Sequence, residues 1–155
     1  MLKFKFNKQA RLSLWSIIIL IAIAFSATAQ VYNAFPGKYN ATLVNVESAN
    51  VVILSADVYP GYPRNIRVTL PEIAVPVVHS KAPACQIELV QKALDFTVKF
   101  MSEAKKIEVR DIKMQSTDQE DAVTHIYTEQ GSLARKLKSE GLARPSSVKT
   151  DEPWC

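Results

Sequence analysis

The stretch QIELVQKALDFTVKFMSEAKKIEVRDIKM, residues 86–114, changes its hydrophobic period partway along. From Gln86 to Ala104 the apolar residues recur three or four apart. Ile87, Val90, Leu94, Val98 and Met101 form one row; Leu89, Ala93, Phe96 and Phe100 form a second beside it. That period predicts a helix, and a stripe so wide predicts one packed firmly onto a sheet. From Lys106 to Met114 the period shortens. Ile107, Val109 and Ile112 alternate with polar residues as in a strand.

Shorter strands flank this unit on both sides. Residues 38–46 and 51–58 are rich in β-branched residues, with Ser48-Ala49-Asn50 placed as a hairpin turn. Pro60-Gly61-Tyr62-Pro63 reads as a turn, and residues 65–70 as a third strand. Residues 71–84 hold Pro71, Pro76 and Pro83 and are expected to form a surface loop. Downstream, residues 122–128 read as a fifth strand and 132–140 as a short helix with Leu133 and Leu137 inward. Gly141 follows where a helix C-cap belongs. Three strands, a helix, two strands and a helix suit an α+β domain built on a small five-stranded barrel of the OB type.

The N-terminus has a different composition. Lys3, Lys5, Lys8 and Arg11 precede an apolar run from Leu12 to Phe25, followed by Ala27-Thr28-Ala29 and Gln30. Basic, apolar and small residues in that order read as a secretory signal peptide over residues 1–29. The alternative is an uncleaved membrane anchor over residues 12–29. Both place the domain, residues 30–155, outside the cytoplasm, in a periplasm or secreted. Four of the chain's 19 Lys and Arg lie in residues 1–29, which hold no Asp or Glu. The remaining 15 basic residues balance the 15 acidic ones, so the net charge of +4 belongs to the leader. A neutral domain lacks the overall basic footprint of most nucleic-acid binders. Cys85 and Cys155 are the two cysteines. In an exported chain they read as one disulfide tying the C-terminal tail to the start of the central helix; two free thiols are the other reading.

Ser102-Glu103-Ala104-Lys105-Lys106-Ile107-Glu108-Val109-Arg110 resembles the staphylococcal-nuclease-like (thermonuclease) family at the end of its central helix. Gly141-Leu142-Ala143-Arg144-Pro145 is similar to the segment after that family's last helix. The Tyr59-Pro60-Gly61 turn, the closing Trp154-Cys155 and Cys85 resemble an exported bacterial branch of it. The likeness spans residues 38–155. It implies an OB-like barrel and, in active members, calcium-dependent cleavage of phosphodiesters.

That chemistry needs hard oxygen ligands for the cation, guanidinium groups for the developing phosphorane charge and a carboxylate to activate water. The resemblance assigns these to three places. The first, an Asp-x-Asp-Thr turn, is here Ser48-Ala49-Asn50-Val51, without either carboxylate. The second is Arg-(x4)-Asp-Thr-Pro-Glu. In the preferred register Ile73-Ala74-Val75-Pro76-Val77 occupies its end, so Ala74 replaces the metal-binding aspartate and Val77 the general base. Thr69 then stands for the arginine, with Arg67 nearby. In the alternative register Arg64 is the arginine, Glu72 the base, and Thr69 replaces the aspartate. The third place, an arginine before the last helix, falls on Asp121, in an acidic run with Asp118 and Glu120 that repels phosphate. A calcium site there lacks any supporting loop pattern. His79 and His125 lack ligand spacing, and no glycine-rich phosphate loop is present.

Three functions follow as expectations. The leading one is a catalytically inactive nuclease-like module, without cofactor, that binds a periplasmic or membrane-complex protein through the apolar loop Leu70, Ile73, Val75, Val77 and Val78. The second is a single-stranded nucleic-acid binder using Lys99, Lys105, Lys106, Arg110 and Lys113. The third is a weak calcium-dependent phosphodiesterase using Arg64 and Glu72. Membrane contact is expected only if the N-terminal segment stays uncleaved.

Overall fold

A computed structural model describes residues 32–80, 82–115, 120–148 and 153–155. The proposed signal segment and Asp118 lie outside them. Strand β1 runs Tyr32–Ser48, β2 Val51–Tyr59 and β3 Tyr62–Thr69. A short β4, Ile73–Ala74, precedes helix α1, Ala84–Ser102. Then come β5 Ile107–Met114, β6 Asp121–Thr128, β7 Gly131–Ser132, helix α2 Leu133–Ser139 and β8 Arg144–Pro145.

The main sheet has the order β3-β2-β1-β5-β6-β7, and β3 pairs again with β6. That second pairing is parallel, Arg67 opposite Asp121 and Thr69 opposite Val123, and it closes a five-stranded barrel. The fold is an OB-like α+β barrel with two helices, as the order of elements in the sequence predicts. Closure removes the open sheet edges that invite aggregation. β1 is longer than the sequence indicates. Its first half pairs with β5 and its second half with β2, and shared residues such as Ala41 pair on both sides.

Period-two alternation fills the barrel. Val52, Leu54, Ala56 and Val58 from β2 point inward with Ile66 and Val68 from β3. In β5 the inward set changes phase, from Ile107 and Val109 to Ile112 and Met114. The change occurs at a bulge, where the register against β6 shifts between Arg110 and Lys113.

Helix α1 departs from the sequence expectation. The residues it buries are Gln86, Ala93, Thr97, Phe100 and Met101. Of the first apolar row only Met101 is buried; Val90 and Leu94 are half-buried, and Ile87 and Val98 are 48% and 43% exposed. A curved barrel wall touches a narrower arc of a helix than a flat sheet does, so one flank of the apolar stripe is left out. Helix α2 starts on Ser132, whose Oγ accepts the Arg135 N–H. It ends in a Schellman arrangement. Gly141 adopts φ +69°, its N–H bonds the Lys138 carbonyl, and the Leu142 N–H bonds the Leu137 carbonyl.

Candidate functional site

Of the positions singled out by sequence, Ser48, Asn50, Thr69 and Asp121 lie around one end of the barrel. The β1–β2 turn, the end of β3, the loop through β4 and the start of β6 meet there. The turn is held by backbone. Leu70 N–H donates to the Asn50 carbonyl, and the buried Thr97 hydroxyl of α1 donates to the Ala49 carbonyl at 2.9 Å. The Ser48 hydroxyl donates to Asn50 Oδ1 at 3.1 Å, so the one side-chain amide of the turn already has a partner.

Thr69 stands opposite Val51 on one side and Val123 on the other. It therefore lies beside the turn. Arg64 pairs with Ala56, five residues further from the turn, which is roughly 17 Å along a strand. Glu72 follows β3 on the opposite side of Thr69, so one strand length separates the Arg64 and Glu72 backbones.

Asp121 is half-exposed and ion-paired. It sits opposite Arg67 and accepts from its Nη1 at 3.2 Å, while Glu47 accepts from Arg67 Nε at 2.6 Å. The Glu47 bond first and the Asp121 bond second raise the guanidinium above its ordinary value. Sequence reasoning named Arg67 only as a neighbour and missed Glu47. The outward alternation of Glu47 on β1 with Arg67 on β3 was the available signal. Glu120 is exposed, and its carbonyl accepts the Arg67 N–H.

The loop after β3 is divided. Leu70 and Ile73 are 2% and 7% exposed and belong to the core, which corrects their place in an exposed apolar loop. Val75 is half-buried against that core. Val77 and Val78 are 60% and 59% exposed. Ala74 is zipped to Arg144 of β8, Ile73 to Pro145, and the Val77 carbonyl accepts from Gln86 Nε2 at 2.8 Å. The tail behind β8 is tied down further. Cys85 and Cys155 form a disulfide, with Cα atoms 6.3 Å apart, as expected of an exported chain. The Arg144 guanidinium lies 4.3 Å over the Trp154 ring and donates to the Pro153 carbonyl.

Two cations of the proposed basic patch share one carboxylate. Lys106 and Arg110 both reach Glu108, at 3.8 and 2.6 Å, and Arg110, the nearest partner, is the main cause holding the Glu108 carboxyl below its usual range. The backbone N–H groups of Lys105 and Lys106 both donate to the Glu129 carboxylate. His79 lies exposed in the loop and His125 on β6, in separate places. Among the described residues no three His, Cys, Asp or Glu side chains gather as a metal site. No protein-family model matches this chain, and no curated protein matches it in sequence.

Proposed function

We propose that the domain is a catalytically inactive, staphylococcal-nuclease-like barrel that works outside the cytoplasm by binding a protein partner. The carrying observation is a replacement. Where the resemblance puts the general base, the chain puts Val77, and Val77 and Val78 are the most exposed aliphatic residues described. Ile87, next to the glutamine that holds the Val77 carbonyl, is also exposed. Adjacent exposed apolar residues favour a partner surface over a phosphate site. Arg67 supports the inactive reading. A phosphate approaching it would meet two carboxylates already bonded to it. The disulfide supports an oxidising location.

The test has two parts on the purified oxidised protein. Single- and double-stranded DNA and RNA are incubated with and without millimolar calcium. The expected result is no cleavage above buffer; calcium-dependent cleavage overturns the inactive reading. Partner capture from an extract of the exported compartment is then compared between the wild type and a Val77→Asp, Val78→Asp variant. The proposal expects a protein captured by the wild type and lost by the variant. A monomeric protein that captures nothing counts against it, and a salt-sensitive shift of single-stranded DNA would favour the nucleic-acid alternative.

A further inference from the structure

A concave site, about 390 Å³ in volume, lies on the outer face of β5 and β6 beside Pro71 and Glu72. Its size falls within the range of small-molecule pockets. The β5 bulge creates its chemistry. A regular strand would send Arg110 and Asp111 to opposite faces. Here Ile112 and Met114 take over the inward phase, and Arg110, Asp111 and Lys113 all stand on the outer side. The buried Thr124 hydroxyl of β6 donates to the Arg110 carbonyl and holds the bulge in place. Among the described residues two non-glycines adopt positive φ, Glu72 at 61° and Asp111 at 50°, and both line this cavity. Backbone strain of that kind concentrates at functional sites.

The donors in the cavity outnumber its acceptors. One oxygen of the Asp111 carboxylate, Oδ1, accepts the Gly37 N–H at 2.8 Å. The Arg110 guanidinium lies 4.1 Å over the Tyr127 ring and uses only Nε on Glu108. The Lys113 ammonium, the His125 ring nitrogens and the Tyr127 hydroxyl bond no other described residue; Glu72, at the rim, is the one acid in the same state. Val123 and Pro71 supply an apolar wall, and the Arg110–Tyr127 stack supplies a flat one.

We propose that this cavity binds a small organic anion, a carboxylate or phosphate head on an apolar body. Arg110, Lys113 and His125 hold the head, and the body lies against Val123, Pro71 and the Tyr127 face. This surface is separate from the Val77–Val78 patch and stands whether or not a protein docks there.

The full-length oxidised protein is titrated with phenyl phosphate, benzoate and inorganic phosphate, followed by calorimetry and by backbone amide shifts. Phenyl phosphate or benzoate should bind, with the shifts centred on residues 110–113 and 123–127. Preference between the two assigns the head group. Lys113→Gln and His125→Gln should each weaken binding about tenfold, the worth of one charge-assisted hydrogen bond. Their unfolding midpoints should match the wild type, since Lys113 is exposed and His125 half-exposed. Three outcomes overturn the proposal. These are no binding of either organic anion, binding that both variants leave unchanged, and inorganic phosphate binding as tightly as phenyl phosphate, which would leave the apolar wall without a role.

Discussion

Single carboxylates decide what this barrel end can do. Asp121 and Glu47 make Arg67 the centre of a solvent-exposed ion-pair cluster. Such exposed pairs add little stability, since solvent screens them, but they set the local charge. Glu129 acts on the fold itself. Its carboxylate accepts the N–H groups of Lys105 and Lys106, where α1 gives way to β5. The Lys105 N–H is the largest cause holding the Glu129 carboxyl below the ordinary glutamate value of 4.5. A depressed folded pKa gives stability that is complete above the unfolded value and is lost as pH falls through the folded one. Urea midpoints should therefore fall on acidification from that ordinary value downward. In Glu129→Gln the acid-side fall should be smaller and the neutral-pH midpoint lower. An unchanged pH profile in that variant would remove Glu129 from the linkage. That Ser48, Asn50, Ala74 and Val77 carry no carboxylate was legible in the sequence, because residue identity needs no coordinates. The Glu47–Arg67–Asp121 cluster was not, because it joins residues 20 and 54 positions apart.

Elements show the same division. Helix α1 was visible from its period, yet which of its two apolar rows faces the barrel depends on the strands it meets. The two cysteines already tied the C-terminal tail to the start of α1, and the structure bears that out; the pairing of Ala74 with Arg144, which no period announces, came only from the tertiary structure. The disulfide spans a sequence separation of 70. In the chain-entropy account, closing such a loop in the unfolded state is worth roughly 4 kcal/mol. Guanidinium unfolding of Cys85→Ser, Cys155→Ser should show a loss of up to that size. Trp154, no longer held over Arg144, should change its fluorescence before global unfolding. A loss near zero would mean that β4, β8 and the Arg144 contacts hold the tail by themselves.

Across the whole molecule the barrel is unevenly sewn. β1, β2 and β3 join through long antiparallel ladders, whereas β3 and β6 meet only over Arg67–Thr69 and Asp121–Val123. Parallel pairing is slightly weaker per residue, and this seam is short and its flanking charges are exposed. Native-state hydrogen exchange should find the Arg67 amide, bonded to the Glu120 carbonyl, less protected than amides in the middle of β2. The reverse order would place the first opening of the barrel elsewhere.

By itself the sequence determined the order and type of the main elements, the barrel class, the turn at Ser48–Asn50 and the Gly141 cap. These follow from local period, local backbone preference and side-chain identity, all of which act over a few residues. Only the tertiary structure decided which flank of α1 is buried, how far β1 extends, what Arg67 bonds, and that Leu70 and Ile73 are core while Val77 and Val78 are not. It alone assembled the outer cavity of β5 and β6. Each of those depends on where distant segments meet when the sheet curves and closes, and a period along the chain carries no record of that meeting.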